Sequence, residues 1–166
     1  MKTATILHYL LNCLWLLLPI MLWNGLLAGK LPQPFQPEIF EKDIPGFIVA
    51  GENLFRLMIF ILPVLMPLRI VSPAQKIGLG LYLAGTGLYF LAWLALIVFP
   101  ASPWSLSAPG FLAPAYTPLI WLIGIGLISS SLYFSSPYQP WVYIVMSAIF
   151  TGFHVSHTTL VYLKTC

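Results

Sequence analysis

Glu52 and Arg56 stand four residues apart inside an otherwise apolar run, and His154 and His157 stand three apart inside another. Residues three or four apart share a helix face, so each pair presents its two polar groups together. A carboxylate beside a guanidinium can orient the polar end of a ligand. Two imidazoles that titrate near neutral pH can relay protons or bind a metal. Ser147, Thr151, His154 and Thr158 step by 4, 3 and 4, which aligns them along one side of a 3.6-residue helix. The candidate ligand-binding set is Asn24, Glu52, Asn53, Arg56, Tyr116, His154, His157 and Thr158, with Phe55 and Tyr116 lining its apolar part. No catalytic residue is assigned; if the protein is an enzyme, Glu52 or His154 is the acid–base group. A metal site needs three or four ligands. The histidine pair would need Glu52 as a third and no cysteine lies near it, so no metal and no cofactor is assigned.

Plainer roles compete for the same residues. Glu52 and Arg56 can serve as an interfacial ion pair that anchors one helix, with Arg56 reaching toward headgroups. The polar stripe can be a hydrogen-bonded helix contact. His8 and Asn12, also four apart, read as interfacial packing.

Composition dictates what positions these groups. Of 166 residues, 60% are hydrophobic and only 7% are charged, against about 25% charged in a soluble domain. Too few charges exist to coat a water-facing surface, and disorder needs low hydrophobicity. A formal net charge of +3, from seven dispersed cations, forms no nucleic-acid footprint. Five segments meet the roughly 20 mainly apolar residues that a membrane span needs: residues 5–27, 47–71, 77–99, 115–134 and 141–163. They are continuous rather than alternating, so they read as helices and not as barrel strands. The expectation is an all-α, polytopic membrane helical bundle of five transmembrane helices, one domain over residues 1–166. The first apolar run is longer than the 7–15 residues typical of a signal peptide, so it reads as an uncleaved span.

The connections alternate in kind. Residues 30–46 carry three prolines between 32 and 37, which favour extended backbone, and residues 101–114 are uncharged and proline-rich. Residues 72–76 and 135–140 read as tight turns. Helix parity then puts both long connections on one membrane face, with Asn24, Glu52, Arg56, Tyr116 and His154 in the adjoining leaflet. Arg69 and Lys76 flank a short turn without acids, which favours a cytoplasmic N-terminus in a plasma (inner) membrane. Cys13 and Cys166 then lie near opposite faces and do not pair within one chain. Pro19, Pro63 and Pro67 are expected to kink the first two helices and open a space between them, with Asn24 and Glu52 at its mouth. Gly80 and Ala84, with Gly87 nearby, form a small-residue face for helix packing. Trp93, Trp121 and Trp141 read as interface anchors or lipid-facing bulk.

The stretch Pro19-Ile20-Met21-Leu22-Trp23-Asn24, followed by Leu31-Pro32 and Pro37-Glu38-Ile39-Phe40, resembles the first helix and loop of the emopamil-binding and sigma-2-receptor-like (EXPERA) membrane proteins. Gly46-Phe47 and Glu52 to Phe55 are similar to their second helix, and 113–118 with Ser136-Pro137-Tyr138 to their fourth. The resemblance implies a cavity inside the bundle for sterol-like or cationic amphiphilic ligands, lined by a helix-1 acid and a helix-2 Glu. The matching positions are Asn24, which is not an acid, and Glu52. The functional expectation is a membrane protein that binds a small hydrophobic or amphipathic ligand, lipid- or sterol-like, in an intramembrane pocket. A membrane enzyme acting on lipid or sterol and an accessory subunit of a larger membrane complex are the alternatives. Partners expected are membrane lipids, such a ligand, and a second copy or a membrane protein partner, with no nucleic acid.

Overall fold

Prolines decide where the helices of this chain begin and stop. The computed structural model describes residues 10–134 and 138–165; His8, Cys166 and the start of the first expected helix lie outside them. Among the described residues there is no β-strand, only an isolated antiparallel bridge between Asn12 and Pro67. Five helices carry the fold: α1 (Leu18–Leu27), α2 (Gly46–Leu65), α3 (Pro73–Val98), α4 (Pro118–Ile128) and α5 (Pro140–Thr165). Pro19, Pro73, Pro118 and Pro140 all fall in a first helical turn, where a missing N–H leaves no hydrogen bond unmade. Among the described residues four stretches are long and apolar enough to cross a membrane: Cys13–Lys30, Gly46–Leu65, Pro73–Val98 and Pro140–Thr165. Ala113–Ile128 is apolar but shorter.

Several expected boundaries move, each for a local reason. The first segment is not one helix. Cys13–Leu16 is a 3-10 turn capped by Asn12, whose side-chain oxygen accepts from the Leu14 N–H at 3.1 Å. Pro19 then starts α1 rather than kinking it. Pro67 likewise ends α2 instead of bending it: the residue before a proline is pushed out of the helical region, and Met66 is extended. The freed backbone pairs with the N-terminal segment, Cys13 N–H donating to Met66 O (2.9 Å) and Leu68 N–H to Leu11 O (3.0 Å). Pro63 alone remains inside the helix.

α3 begins four residues earlier than expected, because Ser72 and Gln75 form a capping box, each satisfying a backbone N–H that the helix cannot. Residues 72–76 are therefore the start of a helix, not a tight turn. Ser72→Ala is expected to lower stability by about 1 kcal/mol, measured as reduced thermal stability in detergent, while Ser72→Asn restores most of it. The fourth segment divides into a turn at Ala113–Tyr116 and α4, which stops where Ser129 turns extended.

The long connections are not extended. Residues 30–46 fold into a 3-10 turn at Gln33–Phe35 and a helical turn at Pro37–Phe40, with prolines again in the first positions. Residues 101–114 fold into Pro103–Leu106 and Ala108–Phe111, capped by Ser102 and Ser107. Both cover one end of the bundle. Phe35 stacks on Phe111 at 4.5 Å and meets Trp93 edge-on at 5.1 Å. Lys164 Nζ donates to the Asp43 carbonyl at 2.7 Å and the Lys42 carbonyl at 3.2 Å, tying the first loop to the last turn of α5.

The tightest helix pair is α3 with α4. A Cβ on Gly124 would lie 2.5 Å from Tyr82 N and 2.6 Å from Gly78 O, and one on Gly85 would lie 2.5 Å from Trp121 N. The packing face is thus Gly78, Tyr82 and Gly85. The expected face fails: Ala84 is exposed, and a Cβ on Gly80 or Gly87 would meet nothing within 4 Å. Cys13 is a buried free thiol.

Candidate functional site

Glu52 lies on the second turn of α2 and is 2% exposed. It reaches α5 because Gly51 lets the two helices approach; a Cβ there would lie 2.5–2.8 Å from the Phe153 ring. Three groups converge on the carboxylate. Arg56 Nη2 donates to Oε1 from one turn further along α2. His154 Nδ1 lies 3.0 Å from Oε1 and His157 Nδ1 lies 2.7 Å from Oε2. His157 Nε2 is 2.9 Å from the Phe40 carbonyl. A carbonyl only accepts, so this nitrogen carries a hydrogen and donates.

Phe40 also stacks on the His157 ring, with centroids 4.3 Å apart, and Phe150 stacks on His154 at 5.5 Å. The turn at Pro37–Phe40 is what delivers Phe40 here. After it the chain reverses at Asp43, whose φ of 54° is left-handed, a conformation Asp tolerates better than most residues, and re-enters at α2.

Arg56 points outward from the carboxylate. Its side chain is 45% exposed, its Nη1 donates to Asn53 Oδ1 at 3.1 Å, and its Cζ lies 6.0 Å from the Phe150 ring centroid. Arg56 and His154 both stand in the wall of a cavity of ≈ 290 Å³ that all five helices border. The rest of the wall is mainly apolar and carries a ring from every helix: Trp23 of α1, Phe60 of α2, Tyr89 and Trp93 of α3, Trp121 of α4 and Phe150 of α5. Asn24 contributes its side-chain oxygen, which accepts from the Tyr89 hydroxyl at 2.7 Å. A smaller cavity of ≈ 160 Å³ lies toward the loops and shares Leu31, Trp93, Pro114 and His154 with the first. His154 therefore stands between the two.

The eight sequence candidates separate into three groups. Asn24, Arg56 and His154 line the main cavity. Glu52 and His157 stand behind them as the buried support, and Thr158, also buried, lines the smaller cavity while its hydroxyl donates to the His154 carbonyl at 2.8 Å. Asn53 is exposed on the outer face and, among the described residues, its hydrogen bond to the site is with Arg56. Tyr116 is not part of it: the ring is 41% exposed and its hydroxyl donates to the Pro109 carbonyl. Phe55 packs on Phe153 instead of lining the cavity.

Other site residues escaped the sequence reading. Phe40 was hidden because its key contact is a backbone carbonyl. Trp121, expected at the interface or in lipid, is 4% exposed and walls the cavity with Trp93; Trp141 is 61% exposed. The indole N–H groups of Trp23 and Trp121 are buried with no hydrogen-bond partner among the described residues, and Trp93 and Trp121 lie within edge-on aromatic contact of Tyr89. Among the described residues no group of three or more His, Cys, Asp or Glu is placed to hold a metal ion. Both imidazoles instead spend Nδ1 on the carboxylate that would have been their co-ligand.

The molecule is thus a helical bundle, with four helical stretches among the described residues long and apolar enough to cross a membrane, around an aromatic-rich cavity whose wall is backed by a carboxylate–histidine–arginine cluster. Compared with protein-family models, curated proteins and solved structures, the chain finds no match in any of the three.

Proposed function

We propose that this chain is a polytopic integral membrane protein of five crossings whose cavity binds a small amphipathic, lipid- or sterol-like molecule. The observation that carries this reading is the cavity itself: about 290 Å³, aromatic on most sides, with Arg56 and His154 as its charged or titratable corner. Ligand sites commonly have volumes of roughly 300–1,000 Å³ and are mainly apolar with a few placed polar groups, so this one suits a compact guest. Residues 113–134 would supply the fourth crossing. At about 1.5 Å per residue Ala113–Ile128 reaches only about 24 Å of a hydrocarbon core of roughly 30 Å. The extended backbone that follows is accommodated against protein, Tyr133 N–H donating to Leu65 O at 3.0 Å, which is where irregular backbone is tolerated in a membrane. Arg69 and Lys76, at the end remote from the cavity, favour a cytoplasmic N-terminus and a cavity in the leaflet away from the cytoplasm; the membrane we propose is the plasma membrane.

The test is photocrosslinking of the full chain in phosphatidylcholine nanodiscs with a photoactivatable dodecanoate, read as adduct mass on the intact protein and located by peptide mapping. Adducts are expected on peptides holding Trp23, Trp93 and Trp121. Leu27→Trp, which adds a ring to the cavity wall, is expected to reduce them about tenfold while the protein stays folded. Adducts spread evenly over the lipid-facing surface, insensitive to Leu27→Trp, would remove the pocket.

One observation supports a second reading, acid–base catalysis on a lipid or sterol. Glu52 orients His154 through Nδ1, and no other hydrogen bond engages the His154 ring among the described residues, which leaves Nε2 available to a bound molecule. A base oriented by a buried carboxylate is a recurring arrangement in acid–base and nucleophilic catalysis.

A further inference from the structure

The proton inventory of the Glu52 cluster fixes the sign of the charge that faces the cavity. His157 Nε2 donates to the Phe40 carbonyl, so a hydrogen is committed there. Its Nδ1 sits 2.7 Å from Glu52 Oε2. A bare nitrogen lone pair facing an ionised carboxylate at that distance is repulsive, so one proton must lie between them. It belongs either to an imidazolium beside a carboxylate or to a carboxylic acid beside a neutral imidazole. Both forms of the Glu52–His157 pair are neutral overall. Arg56, always protonated, then leaves the cluster with one net positive charge while His154 is neutral, and a second proton on His154 would only increase it. Asn53 offers no compensating charge. Arg56 and His154 are also the only Arg, Lys, His, Asp or Glu among the described residues that line the cavity.

Donor capacity points the same way. A guanidinium has five N–H groups; Asn53 and Glu52 each engage one, and the side chain is 45% exposed, so donors remain for a bound head. Arg56 and Phe60 are shared between the main cavity and a shallow depression on the outer face, also bordered by Asn53 and Leu57. A head held at Arg56 can therefore leave its chain either inside, against the aromatic wall, or outside along α2.

We infer that the cavity takes a single-chain amphiphile with a monoanionic carboxylate head, held by Arg56, and excludes the cationic amphiphiles that the family resemblance implied. This rests on the ligand-binding reading above and adds the sign of the head. A small cavity favours one chain, and one excess positive charge matches one negative head. An ammonium head would meet like charge and donors with nothing to accept them.

Dodecanoate, dodecanol and dodecyltrimethylammonium carry the same chain with three heads. Each competes, at equal mole fraction in the nanodisc, with the photoactivatable dodecanoate. Dodecanoate is expected to displace it at least about tenfold better than the other two, the scale of a charge-assisted hydrogen bond. Arg56→Gln should abolish the preference and Arg56→Lys retain most of it, with size-exclusion profiles confirming that both variants fold. Equal or better displacement by dodecyltrimethylammonium or dodecanol overturns the inference and leaves the pocket standing, and so does a carboxylate preference that survives Arg56→Gln. Absence of any cavity adduct overturns the ligand-binding reading itself.

Discussion

Glu52→Ala is expected to lower the stability of the protein by about 3–5 kcal/mol, the range for removing one partner of a buried ion pair. The carboxylate is almost wholly buried and receives Arg56, His154 and His157 together. Without it the partners fare differently. Arg56 is half-exposed and can turn toward water or headgroups, so its share of the loss is small. His157 is buried, and its second nitrogen stays fixed on the Phe40 carbonyl. Its Nδ1 would then face a cavity with no partner, and that unsatisfied group carries most of the penalty. Glu52→Gln keeps an oxygen and adds an amide donor that a neutral His157 can accept, so a smaller loss of about 1–3 kcal/mol is expected. Reversible unfolding of the detergent-solubilised protein in increasing sodium dodecyl sulfate measures both. A Glu52→Ala variant within about 0.5 kcal/mol of the parent, the range of an ordinary surface change, would mean the cluster is not part of what holds α2 to α5. A double variant, Glu52→Leu with His157→Phe, removes both polar members at once. It should recover much of the loss, because replacing a buried pair by apolar groups is far less damaging than breaking it.

The reason this cluster was legible in sequence is scarcity. In a chain with four acids and three histidines, a carboxylate and two imidazoles inside apolar runs have few ways to be satisfied, and helix parity already placed them at one end of the bundle. The partner on the loop was not legible, because the Phe40 carbonyl has no side-chain signature. Prolines were legible as breaks but not as which kind. Pro19 and Pro67 sit in similar apolar surroundings to Pro63, yet one opens a helix, one closes a helix and one lies inside a helix; only the pairing of residues 66–68 with 11–13 decides. Tryptophans were assigned by a habit of membrane proteins, residence at the interface or in lipid; Trp141 is exposed as that requires, whereas Trp121 is buried. Helix α3 posed the hardest case. It is apolar on every side, and both Gly78 with Gly85 and Gly80 with Gly87 are spaced by seven, so spacing cannot choose between the two faces. The polar tips could have chosen. Gln75, Tyr82 and Tyr89 keep the same seven-residue step as Gly78 and Gly85, and together they form the buried face.

That choice of face makes the second large prediction. Gly124→Val is expected to destabilise the protein by about 3 kcal/mol or more, at or beyond the upper end of the range for overpacking. The atoms that its Cβ would meet, Tyr82 N at 2.5 Å, Gly78 O at 2.6 Å and Tyr82 Cα at 2.9 Å, are all backbone. A flexible side chain can swing aside, but a helix backbone can only move as a unit. Gly85→Ala meets the same kind of obstacle in Trp121 N at 2.5 Å and should cost about 1–3 kcal/mol. Gly80→Ala and Gly87→Ala, by contrast, add a methyl to open space and remove a flexible residue from a helix interior, so they should be neutral or stabilising by up to about 1 kcal/mol. The same unfolding titration ranks all four. Close helix approach also serves the cavity, since Tyr89 and Trp93 of α3 face Trp121 of α4 across its wall. Forcing the two helices apart must therefore widen the site as well as loosen the bundle, and Gly85→Ala should weaken dodecanoate crosslinking in protein that is still folded. If Gly80→Ala proves as damaging as Gly85→Ala, α3 is rotated from the face described, and the aromatic wall built on that face goes with it.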